Sequence, residues 1–173
     1  MEGNLVNWWQ EDTKLAYLEK AKCIIEQYGN FTEPNVDLPL NGINTQGENI
    51  ADNGGIKAAY LAYKKWVEKN GQEPKLPALN YSSSQLFWIS AAQTWCSVYR
   101  PGNYHFYIHI LLIFTILIKL LLSENLKMRV SSNFHAPGQF RVLGTFRNMQ
   151  DFANDFKCSV NASMNPVNKC EVW

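Results

Sequence analysis

The chain has 173 residues, 46% of them hydrophobic and 18% charged, with 16 Lys and Arg against 15 Asp and Glu for a net charge of +1. That length fits one folded domain. The balanced charge leaves no basic surplus for a nucleic-acid backbone and no acidic tail, which argues against nucleic acid as a partner.

The opening MEGNLVNWWQEDTK is polar and then helical, and it carries no secretory signal. From Gln10 to Tyr28, Leu15, Leu18, Ala21, Ile25 and Tyr28 recur at helical spacing and predict an amphipathic helix stopped at Gly29. Residues 29–47 hold Pro34, Pro39, Gly42 and several Asn, and read as a loop. A second helix is expected from about Glu48 to Asn70, closed by Gly71. On it Glu48 and Asp52 stand four apart on one face, where two carboxylates repel unless something positive lies beside them. The same face continues through Gly55, Ala59, Ala62 and Trp66, a stripe of small residues that lets another backbone approach closely.

A third helix, about Ser83 to Val98, is apolar all round and reads as a buried core helix. Residues 102–123 then form a run dominated by Ile, Leu, Phe and Tyr. The stretch SSNFHAPGQFRVLGT reads as a loop, followed by a short helix capped by Asn148 and ending near Phe156. The coarse fold is mainly α with long loops.

Cys23, Cys96, Cys158 and Cys170 stand far apart with no C-x-x-C pair, which disfavours a zinc ribbon or a dithiol redox site. Three N-x-S/T tripeptides begin at Asn30, Asn80 and Asn161, and with the scattered cysteines they point to glycosylation in an oxidising, secretory compartment. The terminal Cys170-Glu171-Val172-Trp173 fits a prenylation box poorly and reads as a structural cysteine.

Several blocks in order, GNLVNWW, IIEQYGNF, GENIADNGG, LFWISAAQTWC, HAPGQFRVLGTFRN and MNPVNKCEVW, resemble the C-terminal part of the neprilysin and endothelin-converting-enzyme zinc metallopeptidases. The resemblance implies an incomplete, helical C-terminal portion of a thermolysin-like (gluzincin) catalytic domain spanning residues 1–173. It also implies hydrolysis of peptide bonds in small peptides outside the cell, at the plasma membrane. By the same resemblance Glu48 is a zinc ligand, and Asp52 is a carboxylate that orients a zinc-bound histidine. His135 stabilises the oxyanion, Arg141 holds a substrate carbonyl, and Trp95 lines the pocket after the cleaved bond. Thr94 departs from the apolar residue usual there. The family pattern further implies a Cys23–Cys170 disulfide, with Cys96 and Cys158 matching cysteines whose partners lie in an N-terminal part.

Catalytic zinc takes three protein ligands and an open position, with the Glu of H-E-x-x-H as general base. The resemblance places that helix shortly upstream of GNLVNWW. The 173 residues are therefore expected to lack two zinc ligands and the base, and to be inactive alone without the N-terminal part of the peptidase. His105 and His109 have the i, i+4 spacing of that motif, but Phe106 stands where the Glu belongs, so the match reads as coincidence.

Joining Pro101 to Glu124 restores Y-R-P-E, the family pattern, so residues 102–123 read as a foreign apolar insert. Gly102-Asn103 can be encoded by GGTAAT and Ser123-Glu124 by TCAGAA, a splice donor and acceptor, and the insert reads as a retained intron. The rival reading is a membrane segment over 106–122, shorter than the roughly 20 apolar residues a span wants and broken by His109 and Lys119. The chain thus shows no clear membrane anchor. Three functions follow from these readings: a zinc endopeptidase, an inactive fragment or pseudoenzyme serving as an interaction module, and a membrane-associated peptide.

Overall fold

The computed structural model describes residues 7–96 and 126–173. Two long helices set the frame. The first, α1 (Glu11–Gly29), opens with Glu11 and Asp12, whose charges suit the positive end of a helix dipole. Its buried residues Ala21, Ile24 and Tyr28 recur at steps of three and four and form one face. At its end the Asn30 N–H returns to the Glu26 carbonyl, and a short antiparallel hairpin follows, β1 (Thr32–Glu33) against β2 (Leu38–Pro39).

The hairpin delivers the chain to α2 (Gly42–Asn70), where the Asn41 side chain accepts the Asn44 N–H at 3.0 Å. The two helices cross at Gly42. A Cβ there would stand 2.1 Å from the Ile25 carbonyl oxygen, so only glycine allows the approach. Around the crossing Ile24, Tyr28, Leu40, Ile50, Val130 and Phe140 build the larger core. Each such aliphatic or aromatic side chain contributes about 1.5–3 kcal/mol by leaving water.

The smaller core is aromatic. The third helix, α3 (Ser83–Gln93), starts with a capping box in which Ser82 and Gln85 satisfy each other's backbone N–H. Its Trp88 packs on Tyr60 of α2, ring centroids 4.5 Å apart, and on Phe146 at 5.3 Å. Residues 126–132 are helical, and then come α4 (Gly138–Phe146) and α5 (Gln150–Asp155). Asp155 accepts from Tyr60 Oη at 2.5 Å and from Trp88 Nε1 at 2.8 Å, joining α2, α3 and α5. The C-terminal tail folds back on α1 through a Cys23–Cys170 disulfide, Cα atoms 5.5 Å apart.

Four expectations change. Helix α2 begins at Gly42, six residues before Glu48, because Asn41 caps it and Gly42 is needed for the helix crossing. The HAPGQFRVLGT stretch is not a loop: Pro137 takes the N-cap position, and Gly138–Phe146 is helical with Phe140, Gly144, Thr145 and Phe146 buried. Asn148 is not the cap of the last helix; Met149 precedes it, and the Asn148 amide donates to Gln27, Asn53 and the Gly144 carbonyl. Helix α3 ends at Gln93, with only Trp88 buried, so it presents one core-facing side rather than a wholly buried surface. The apolar insert at 102–123, the membrane reading of 106–122 and the His105/His109 pair lie outside the described residues. Among the described residues, no helix is long and apolar enough to cross a membrane.

Candidate active site

Glu48 and Asp52 lie one turn apart on α2, as their spacing requires, and the segment from 133 to 146 runs across that face. Its position is fixed from both ends. The amides of Asn41 and Asn44 donate to the Ser131 carbonyl at 3.1 and 3.3 Å, and the Asn133 side chain accepts the His135 N–H at 2.8 Å. Beyond it Ala136, Pro137 and Gly138 are buried, which anchors the start of α4.

The result is two pairs in register. His135 Nε2 stands 3.2 Å from Glu48 Oε2, at the surface, with the side chains 52% and 43% exposed. One turn further along α2, Arg141 meets Asp52 in a fork: Nε donates to Oδ2 and Nη2 to Oδ1, both at 2.6 Å, with the side chains only 12% and 17% exposed. Such bidentate geometry is the strongest form of guanidinium–carboxylate contact. The other face of the guanidinium lies 3.6 Å from the centre of the Trp95 ring. The Asp52 hydrogen bond raises the Arg141 pKa against the opposing effect of burial, and the charges of Asp52 and Glu48 add to it. The neighbours of both carboxylates, His135 and Arg141, come from this chain.

Behind the fork lies Tyr28, which the sequence placed only as a helix-face residue. Burial pushes its phenol up to about 12, and the Asp52 charge acts in the same direction, against a hydrogen bond with Thr145 Oγ1 at 3.2 Å. The ring fills the space a side chain at Gly144 would need: a Cβ there would sit 2.4 Å from Tyr28 Cζ. Asn148 ties the same layer together, bonding Asn53 and Gln27 and accepting the Cys170 N–H. Neither Tyr28 nor Asn148 announces this role in sequence, since a helical stripe and an Asn near a turn are commonplace.

Glu48, Asp52, His135, Arg141 and Trp95 are thus gathered in one place. Asn30, Asn80 and Asn161 lie elsewhere, all exposed, and Cys96 and Cys158 are free thiols. The described residues hold no group of three His, Cys, Asp or Glu that could bind a metal ion. The small-residue stripe itself, Gly55, Ala59, Ala62 and Trp66, is exposed, and nothing lies within 4 Å of a Cβ at Gly55.

The helical frame is similar to that of zinc metalloprotease structures, and the chain belongs to peptidase family M13, whose model matches residues 1–111 and 117–172. It is 54% identical to Neprilysin-2 of Drosophila melanogaster over 173 residues, which is 100% of this chain and 20% of that protein. It is 42% identical to Endothelin-converting enzyme 1 of Bos taurus over 172 residues, 99% of this chain and 20% of that one. Among solved structures it is similar to the Haemonchus galactose containing glycoprotein complex, with a TM-score of 0.74 and 31% identity over 94% of this chain and 24% of that one. It is also similar to the Mycobacterium tuberculosis zinc metalloprotease Zmp1 in complex with inhibitor, at 0.73 and 25% over 98% and 23%. The chain spans about a fifth of the length of the curated relatives it matches.

Proposed function

We propose that these residues form part of the active site of a zinc metalloendopeptidase that hydrolyses small peptides. The observation that carries the reading is the register of the two pairs, His135 on Glu48 and Arg141 on Asp52, across one face of α2.

Glu48 is the carboxylate ligand to zinc. The site needs two further ligands, which the described residues do not supply, since catalytic zinc takes three from protein. Bound zinc supplies Lewis acidity and lowers the pKa of a water molecule. The chain's own residues do the rest. Asp52 holds the Arg141 fork while each of its oxygens keeps a lone pair, enough to accept from a ligand histidine supplied by the peptidase's other part. Arg141, fixed by Asp52 below and Trp95 on its face, directs its remaining N–H groups at a substrate carbonyl. His135, exposed at the rim, donates to the oxygen that becomes negative as the carbonyl is attacked. Trp95 forms a wall for the side chain following the cleaved bond.

With two ligands short among the described residues, we read the chain alone as inactive and as a weak holder of zinc. The exposed face at Gly55, Ala59, Ala62 and Trp66 favours a second role, as a surface on which the rest of the peptidase or another partner sits. Exposed sequons at Asn30, Asn80 and Asn161 and the Cys23–Cys170 disulfide support glycosylation and a position on the extracellular side of the plasma membrane. Residues 102–123, within which the family match breaks at 112–116, are read as an insert and a retained intron.

The experiment is hydrolysis of a quenched fluorescent peptide by the complete gene product with and without zinc. Glu48→Gln should abolish activity, and His135→Ala should lower kcat by about 100-fold with little change in KM, the behaviour of a group that acts only in the transition state. Unchanged turnover in both variants would end the reading.

A further inference from the structure

Directly beside the Arg141–Trp95 stack a groove of about 650 Å³ runs between α3 and the first turn of α4. Its lining sets apolar Ile89 and Ala92 of α3, Val142 of α4 and Trp95 beside polar Gln93 and Asn35. The hairpin adds Glu33 to the lining, and this residue is only 3% exposed. A buried carboxylate is costly unless charge and hydrogen bonds compensate it. Here the hydrogen bonds are present and the charge is not. Asn35 donates to Oε1 through its backbone N–H at 3.2 Å and its side-chain amide at 2.6 Å, and Gln139 donates to Oε2 at 3.1 Å. All three donors are neutral. Among the described residues no Lys, Arg or His forms an ion pair with Glu33, in contrast to Asp52, which Arg141 pairs. A carboxylate has about four acceptor sites, so Oε2 keeps a lone pair beyond the Gln139 bond. Gln139 is itself an exposed side chain that can swing aside.

A partly apolar groove lined by a carboxylate that no charge among the described residues offsets matches a side chain with an aliphatic stem and a cationic head. The groove also shares Trp95 with the Arg141 stack, which sets it beside the residue proposed to hold a substrate carbonyl. We propose that Glu33 is a specificity-determining residue, and that this groove accepts an Arg or Lys side chain of the substrate peptide close to the cleaved bond. The inference rests on the peptidase reading of the Arg141 site, deepening it to a substrate class.

The test reads binding, so it does not depend on catalysis. Fluorescein-labelled hexapeptides that differ at one position, Arg, Lys, norleucine or Glu, are scanned through each position and titrated with the complete gene product by fluorescence polarisation. At one position Arg and Lys should bind about 10-fold more tightly than norleucine, the size expected for one hydrogen bond to a charged group, with Glu weakest. Glu33→Gln should bring Arg to within about 2-fold of norleucine and leave norleucine affinity unchanged. As a second variant, Val142→Trp narrows the groove without touching Glu33, and should weaken Arg, Lys and norleucine peptides together at that same position. The proposal is overturned if no position prefers a basic residue, or if Glu33→Gln keeps the preference. It is equally overturned if Glu33→Gln only lowers thermal stability and weakens all peptides alike, which would make Glu33 a purely structural carboxylate. Tight basic-selective binding without any hydrolysis would uphold the groove and count against the peptidase reading.

Discussion

Replacing Asp52 by Asn keeps the shape of the side chain and removes the charge that the Arg141 fork is built on. Both hydrogen bonds are 2.6 Å and both side chains are more than four-fifths buried, so water compensates little of the loss. Removing one member of a buried pair costs about 3–5 kcal/mol. Here the residual exposure and the nearby Glu48 charge soften that, and about 2–3 kcal/mol is the expected loss, 30-fold or more in the folding equilibrium. The assay is urea unfolding followed by circular dichroism, completed as a double-mutant cycle with Arg141→Met. The cycle should return a coupling of about 2 kcal/mol, because the double variant no longer strands a buried cation. Salt at 1 M should change it little, since a pair this buried is weakly screened. A destabilisation below about 0.5 kcal/mol, or a coupling near zero, would refute the view that Asp52 holds Arg141 in place.

Other consequences follow from the same layer. Gly42→Ala should destabilise more than Gly144→Ala, by about 3 kcal/mol or more against about 1–3, because the first meets the Ile25 carbonyl and the second only a ring that can tilt; thermal melts of the two variants decide it. Tyr28 gives an alkaline limit: its folded-state pKa is raised to about 12, so stability is complete below pH 10 and is lost as the pH climbs towards 12, by at most about 3 kcal/mol. Tyr28→Phe should flatten that limb in urea titrations between pH 9 and 12, at the expense of a stranded Thr145 hydroxyl at neutral pH. Cys23→Ser should lower stability by about 2–4 kcal/mol, since the Cys23–Cys170 bond closes a long loop, and reduction of the unmodified chain should reproduce the loss.

The helical class, the end of α2 and the gathering of the site residues were legible because they rest on helical spacing and on motif blocks that keep their order. The start of α2 and the whole of α4 were not. Both contain glycines and border Pro or Asn, residues that punctuate loops when seen alone. In the fold Gly42 is the point where α1 crosses, Gly144 makes room for the Tyr28 ring, and Pro137 begins a helix it cannot interrupt. Those are tertiary reasons for glycine, invisible in one sequence. The all-apolar look of α3 misled for the converse reason. Trp88 alone is buried in the core, while Ile89 and Ala92 line a groove together with Glu33, more than fifty residues earlier. His135 and Arg141 were legible as site residues, but only the fold sets them in register with Glu48 and Asp52.

The central claim is that Glu48 is a ligand in a zinc site this chain completes only together with the rest of its peptidase. The most direct measurement is zinc content by mass spectrometry of the purified complete gene product and its variants. The account predicts one zinc per molecule, lost in Glu48→Gln and retained in His135→Ala and Arg141→Met. Zinc retained at full stoichiometry in Glu48→Gln would contradict it.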